Sequence, residues 1–543
     1  MNMPEPLSES LSPAQFANLK GLLSYVAVTH QHLPAFTCAG VTLSYHELDE
    51  LSTRFAAYLQ TQTDLAPGDR IAIQLPNLLQ FPIVLFGAIK AGLVVVSTNP
   101  LYTAHEMGHQ FRDSGAKGIV ILESFCQKLE EVLPSTQIET VIVATLGDIR
   151  PAISRAGINF VAKYVKKVVP PYNLKHKIYL NKALENRYAY DNSFSADPDE
   201  IAVLLYTGGT TGIAKGAMLS HQNILTNMMQ LRARSALLIE DQIETLAAPL
   251  PLYHSYAFLL HCFAMPYAGN HNLLIPNPRD IKGMIKLFSR TPVNGFVGIN
   301  TLYLGLLRDS GFEKLDFSAL KFCGAGGMAM TTSVAEEWLD VTGVEILEGY
   351  GLTECSPVVS VNIPGKSKLG TVGPVVPETE VRVVDEQEND AAEGATGELW
   401  IRGPQVMQGY WQQPEATRDV INRDGWFKTG DFAQIDDEGY IKIVDRKKDM
   451  ILVSGFNVFP NEVEDWVNNH PYVLESAAIG VPNERSGEAV KLFVVLREQS
   501  VDPTEIIRHC RAGLTSYKVP KEVVFVEDLP KSIIGKILRR ELR

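Results

Sequence analysis

The chain has 543 residues, 45% hydrophobic and 20% charged, an ordinary globular composition but too long for one compact core. Its formal net charge of −13 excludes a general nucleic-acid-binding surface, so DNA and RNA are not expected partners and any polyanion must be held by a local constellation. Six cysteines without a CxxC or a Cys/His cluster point to free thiols in a reducing compartment and to no zinc site.

No cationic side chain precedes Lys20 and no apolar core follows the start, so no secretory signal is expected. The longest apolar run, 81–96, is interrupted by Lys90 and is too short for a bilayer span, so the expected location is cytoplasmic. Leu48, Leu51, Phe55 and Leu59 carry helical spacing, and Ala66-Pro67-Gly68-Asp69 is a turn into a strand over 70–75. A helix over 79–91 leads to an apolar run at 93–96, and alternation of this kind continues through 117–122 and 140–144. That alternation predicts parallel β-α-β units in a layered α/β architecture.

Residues 158–169 differ. Val161, Tyr164, Val165 and Val168 share one helical face, Lys163, Lys166 and Lys167 stand on another, and Pro170-Pro171 stops the helix. Two readings stay open: an element lying on an anionic membrane surface, which would place the protein on the inner membrane face, or a core-facing helix with a solvated lysine edge.

A polar linker, 191–200, precedes YTGGTTGIAKGAML at 206–219, which follows an apolar, strand-like run at 201–205. Glycines let backbone N–H groups approach a polyanion, threonine hydroxyls add donors, and Lys215 supplies a point charge, so this loop can cradle phosphates. It lacks the Gly-Lys-Ser/Thr order of a Walker A loop, and a plain Gly/Thr hairpin is the alternative. Ser220 is the expected N-cap of a helix toward Leu231. The strand-like and aromatic residues around Pro249, Pro251 and His254, and the apolar run 295–307, are either core or the walls of a greasy pocket.

Two glycine-rich turns follow, CGAGG at 323–327 and EGYGLTE at 348–354. The second pairs an aromatic that can stack on a base with a Thr and a carboxylate that can hold a divalent ion, although a tight turn would explain each. GWFKTGD ends in Asp431, whose two oxygens suit a ribose diol. At 445–449, DRKKD concentrates charge and the chain changes character, giving domains of 1–447 and 448–543, the second a small α+β unit with strands at 477–481 and 490–496 and a helix at 504–512. Near the end, PKSIIGKILRR places Lys536 after Gly535; by itself such a lysine reads as a surface charge.

Read together, YTGGTTGIAKGAML, GYGLTE, GWFKTGD, DRKKDMILVSGFNVFP and PKSIIGKILRR stand in the order and spacing of the adenylate-forming enzymes, and the chain resembles that superfamily. PNLLQFPIVLFGAIKAG, NPLYT, NPRD, GPQVMQGYW and KILRREL extend a resemblance to bacterial long-chain fatty acid CoA ligases along nearly the whole length, and 424–448 looks like their signature. The resemblance implies a large N-terminal domain of layered sheets and helices and a small mobile C-terminal α+β domain. It implies a two-step reaction: ATP and a fatty acid give an acyl-adenylate and pyrophosphate, then the thiol of coenzyme A displaces AMP.

By motif, the resemblance assigns Thr207, Gly208, Gly209, Thr210, Thr211, Gly212 and Lys215 to the phosphates, Tyr206 to the same ATP site, and Thr207 and Glu354 to Mg²⁺. Gly324, Ala325, Gly326, Gly349, Tyr350, Gly351 and Thr353 would frame the nucleotide, with Asp431 and Arg446 on the ribose. Lys536, Lys215 and Glu354 are the implied catalytic residues. Lys448 would be the hinge and Ser454-Gly455 the loop brought to the site for CoA, while His254, Phe258 and Gly298 would belong to the acyl pocket. A carboxylate attacking an anionic phosphorus needs a cation aimed at the developing charge, the role implied for Lys536. Alternatives are a ligase for medium-chain or aromatic acids, a fatty acyl-AMP ligase, or an idle nucleotide-binding or membrane-adaptor protein; oligomeric state, a homodimer included, stays open.

Overall fold

The computed structural model describes residues 15–185, 188–207, 214–235, 239–242, 244–483, 485–497, 501–532 and 535–543. A first sheet takes seven strands in the spatial order Lys177–Tyr179, Thr140–Ala144, Gly118–Leu122, Arg70–Gln74, Val94–Ser97, Ile201–Thr207 and Lys215–Ser220. Every neighbouring pair is parallel except the last. The strands are apolar runs because both faces are covered. Ile71, Ile73, Val95 and Val120 join the core that includes helices Tyr45–Gln62 and Gln80–Lys90, whereas Ala72, Val94, Val96 and Ile119 meet Met107, Phe111 and Leu129 opposite. The charge interrupting the apolar run is accommodated within this layer: the Lys90 ammonium donates to Asp49 Oδ1 at 2.6 Å, Ser52 Oγ at 2.8 Å and Thr53 Oγ1 at 2.9 Å.

A second sheet has eight strands, ordered Val358–Val361, Ile346–Gly351, Phe322–Ala325, Gly295–Gly298, Thr245–Ala248, His271–Leu274, Pro34–Cys38 and Val41–Ser44. Its interior pairs are parallel and its two edge pairs antiparallel. An antiparallel sheet of Glu380–Val384, Gly397–Arg402, Phe427–Ile435 and Ile441–Arg446 follows. Beyond it lies a smaller α+β unit with its own core, in which Val463 and Val467 of helix Pro460–Asn468 and Ile506 and Cys510 of helix Pro503–Gly513 pack on Leu492 and Val494. The fold is therefore the expected mixed α/β one, a large N-terminal part with a small C-terminal one.

Ser220 is an N-cap as expected, its Oγ accepting from Asn223 N at 3.1 Å at the start of helix His221–Ser235. The six cysteines are free and buried. No helix among the described residues is long and apolar enough to cross a membrane. Two expectations change. The strand-like stretch after His254 is helical, Ser255–Leu259 running on through a π turn to Tyr267, because its β-branch-poor, Leu- and Phe-rich sequence is buried as a helix rather than paired. The lysine-edged helix starts earlier than 158, as Ala152–Phe160 after Pro151, and ends in a π turn, Val161–Val165. Its apolar face does not enter the core: Ile153 is 90% exposed, Phe160 58%, Tyr164 61% and Val165 62%.

Candidate active site

In parallel sheets, ligands are bound beyond the carboxyl ends of the strands. Here the carboxyl edges of both parallel sheets open on one cleft of about 1200 Å³, lined by Ser97 and Thr207 from the first and by Leu250, Ile299, Gly326 and Gly351 from the second. The volume exceeds the roughly 300–1000 Å³ of most small-molecule sites.

At one end, Thr207 and Lys215 close the hairpin between strands Ile201–Thr207 and Lys215–Ser220, facing each other in register. Gly208, Gly209, Thr210, Thr211 and Gly212 lie outside the described residues. Thr207 Oγ1 reaches Glu354 Oε1 at 3.4 Å, so a hydroxyl and a carboxylate from distant segments converge on the cleft. Tyr206 also lines it, its hydroxyl held by Asp113 Oδ2 at 2.6 Å. Hard oxygen donors of this kind fit Mg²⁺, which takes one or two protein carboxylates or hydroxyls and leaves the rest of its shell to phosphates and water.

In the middle, Tyr350 donates to Asp431 Oδ2 at 2.5 Å and Arg446 Nε stands 3.5 Å from Asp431 Oδ1. Asp431 and Arg446 sit opposite each other across the pair Phe427–Ile435 and Ile441–Arg446, which fixes their spacing. Thr353 shares a 3.1 Å hydrogen bond with Ser255, and Gly349 and Gly351 line the same wall. Gly351 admits no side chain, since a Cβ would come 2.2 Å from the Pro357 carbonyl oxygen. Gly326 is on the cleft surface, whereas Ala325 is buried and the Gly324 carbonyl accepts from Tyr303 at 2.7 Å, so these two support the wall from behind. Burial raises the Glu348 carboxyl to about 7, while its Oε2 accepts from Met330 N at 3.0 Å.

At the far side, Lys536 enters from the C-terminal unit. Its turn is closed by Lys536 N donating to Ser532 Oγ at 3.1 Å, and Gly535 at φ +78° is pressed so closely on the wall that a Cβ would lie 2.5 Å from Ile299 Cδ1 and Thr301 Oγ1. Desolvation, then the nearby Arg446, lowers the Lys536 ammonium to about 8, with Asp431 opposing. Burial, helped by Lys536, lowers His254 to about 4, leaving a neutral imidazole on the cleft surface. Lys448 also lines the cleft and is lowered, first by desolvation and then by Arg446.

Four expected residues stand apart from the cleft surface. Ser454 and Gly455, at φ +53° and +84°, form the hairpin turn between Ile451–Val453 and Phe456–Val458, outside the cleft lining. Gly298 packs on Tyr303, a Cβ there meeting its ring at 2.9 Å, and Phe258 is buried against Phe263 with centroids 5.2 Å apart. Phe258 follows His254 by one helical turn, its N donating to the His254 carbonyl at 2.9 Å, but its side chain is buried in the core and not on the cleft surface.

Two further residues escaped the sequence reading. Tyr410, within the quoted GPQVMQGYW, donates to Glu354 Oε1 at 2.8 Å and lies under the Lys215 ammonium, 5.1 Å from ring centroid to Nζ. Arg539 holds Glu464 at 2.7 Å, Asn461 at 2.7 Å, Asp449 at 3.8 Å and Asp445 at 4.0 Å, knitting the Lys536 segment to both sides of 446–448.

The profile of the AMP-binding enzymes matches residues 23–411, and that of the AMP-binding enzyme C-terminal domain matches 462–536. The chain belongs to the AMP-binding enzyme family. Within that family it is 48% identical over 545 residues to a long-chain-fatty-acid–CoA ligase of Yersinia pestis, covering 99% of this chain and 96% of that protein. A Bacillus subtilis protein of the same name is 34% identical, over 98% of this chain and 95% of its own length. Among solved structures, ATP-bound MatB from Rhodopseudomonas palustris superposes with a TM-score of 0.84 at 29% identity, covering 97% and 98% of the two chains. The resemblance drawn from the ordered motifs is borne out, and so is the two-part α/β fold.

Proposed function

We propose that the chain is an ATP-dependent, AMP-forming long-chain fatty acid CoA ligase. The observation that carries this reading is Lys536 of the C-terminal unit standing in one cleft with Thr207, Glu354, Tyr350, Asp431 and Arg446 of the N-terminal part. In this reading Asp431, held by Tyr350 and Arg446, would accept from ribose hydroxyls, Lys215 would hold phosphates, and Lys536 would bridge the carboxylate and the α-phosphate. Thr207 and Glu354 would hold Mg²⁺, which when bound neutralises phosphate charge. A fatty acid carboxylate oxygen bonds to the α-phosphorus as the bond to pyrophosphate breaks, and the CoA sulfur then bonds to the acyl carbon as AMP leaves with its oxygen and the thiol proton passes to solvent.

The second half-reaction needs no cation bridging two anions. In this reading the unit 448–543 turns about Lys448, withdraws Lys536 and brings the Ser454-Gly455 turn to the cleft. His254 and the wall around Ile299 would border the acyl group, each buried CH₂ contributing about 0.8 kcal/mol. The exposed face of Phe160, Val161, Tyr164, Val165 and Val168, edged by Lys166 and Lys167, would rest on an anionic bilayer surface as a peripheral contact. A panel of acids tests the assignment: CoA thioester formation should be fastest with palmitate or oleate, and far faster turnover of benzoate or another aromatic acid would overturn it.

A further inference from the structure

Resting on the reading of Thr207 and Glu354 as oxygen donors to Mg²⁺, a residue outside that pair is implicated in setting their geometry. Residues 407–411 run beside strand Lys215–Ser220, with Met218 N donating to Gly409 O at 2.9 Å and Trp411 N to Gly216 O at 2.8 Å. The same segment holds Glu354 twice. Met407 N donates to the Glu354 carbonyl at 2.8 Å, and the Tyr410 hydroxyl donates to its Oε1 at 2.8 Å. Thr207 shares that oxygen at 3.4 Å, while among the described residues Oε2 accepts no hydrogen bond. The carboxylate is thus fixed by one oxygen with the other left for a ligand.

The face of the Tyr410 ring carries the Lys215 ammonium at 5.1 Å, within the range of a favourable cation–π contact. One buried side chain therefore touches both the phosphate-binding cation and the metal-binding carboxylate, which come from segments far apart in sequence. The ammonium rests on the face of the ring and the carboxylate on its hydroxyl, so one side chain orients both charges.

We propose that Tyr410 is a positioning residue for the magnesium–nucleotide complex, setting the separation and orientation of Lys215 and Glu354 through its ring and its hydroxyl. Groups that hydrogen-bond a metal's ligand typically change metal affinity by roughly 10- to 100-fold when lost. Tyr410→Phe keeps the ring, adds no volume and removes only the hydrogen bond. Its Mn²⁺ affinity, read by electron paramagnetic resonance in the presence of a non-hydrolysable ATP analogue, should fall roughly tenfold. The Mg²⁺ concentration giving half-maximal pyrophosphate exchange should rise in step, while KM values for palmitate and CoA stay within about twofold.

A tyrosine that merely fills space would leave the metal dependence where it was. Mn²⁺ affinity of Tyr410→Phe within about twofold of the wild type, with Glu354→Gln strongly weakened, would overturn the positioning role and leave the metal site standing. An unaltered Mn²⁺ affinity in both variants would bring down the metal reading and this inference with it.

Discussion

In the proposed cycle, replacing Lys536 by alanine should separate the two half-reactions most sharply. Before substrates arrive the ammonium stands in a cleft that desolvates it and beside Arg446, Lys448 and Arg539, which lowers it from 10.5 to about 8. Holding the charge there costs about 3 kcal/mol relative to water. That cost is offset only when anions fill the cleft, so the lysine is poised to bind the charge that builds up as carboxylate meets phosphate more strongly than it binds either reactant alone. Loss of one such preorganised donor costs roughly 10²- to 10³-fold in rate. Lys536→Ala should therefore slow palmitate-dependent pyrophosphate exchange by that factor, while thioester formation from supplied palmitoyl-adenylate and CoA stays near the wild-type rate. The pH profile follows with a definite sign. In free enzyme the ammonium form is lost as pH rises through about 8, so kcat/KM for the exchange should fall on the alkaline side with a midpoint there. Bound anions favour the charged form, so the same limb in kcat should lie at higher pH. Equal loss of both half-reactions, or an alkaline limb that Lys536→Arg leaves in place, would refute the reasoning.

The other expectations rest on separate contacts. Arg539→Met leaves the buried Asp445 and Glu464 carboxylates without their shared guanidinium and should destabilise the protein by about 3 kcal/mol in urea unfolding, slowing adenylation more than thioester formation. Gly351→Ala drives a Cβ to 2.2 Å from the Pro357 carbonyl oxygen; it should cost about 1–3 kcal/mol and raise KM for ATP, because the displaced turn carries Tyr350 and Thr353. Replacing Lys166 and Lys167 by glutamine removes two charges worth about 1 kcal/mol each near an anionic surface, so partitioning to phosphatidylglycerol vesicles should drop roughly thirtyfold, with no change on neutral vesicles. Unchanged sedimentation with the anionic vesicles would dismiss the helix as a membrane contact.

Much of the fold was legible because local pattern and tertiary burial agree. The run 140–144 reads as a strand and is one, since the four apolar residues after Thr140 are buried on both faces of a covered sheet. The lysine-edged helix shows the limit of that reasoning: periodicity identifies an apolar face but not what covers it, and only the 61% exposure of Tyr164 and 62% of Val165 shows that the core does not. Asp431 was weak evidence in isolation because its meaning comes from Arg446 across the strand pair and from Tyr350 in another sheet. Tyr410 was missed for the same reason, its partners Glu354 and Lys215 lying far away in sequence. The place of Phe258, packed on Phe263 in the core, likewise follows from contacts that spacing alone does not report.

The charge of −13 and a cleft built for polyanions are reconciled by where the cations stand. Lys215, Arg446, Lys448 and Lys536 all face the cleft, against Glu354 and Asp431 on the same walls. Lys448 and Lys536 are each lowered by desolvation and then by Arg446, so the cleft favours binding phosphate and carboxylate together. In the proposed cycle that preference has a second use. Pyrophosphate carries away most of the negative charge that held Lys536 in place, while Arg446 and Lys448 still repel it, so departure of the first product itself weakens the C-terminal unit's hold on the cleft. Rotation for the CoA step then needs no separate trigger. Acyl-adenylate alone should accordingly populate the adenylation arrangement less than acyl-adenylate with added pyrophosphate, which a fluorophore pair across 446–448 would read as a pyrophosphate-dependent change in transfer efficiency; an efficiency indifferent to pyrophosphate would show that the charge balance does not govern the turn.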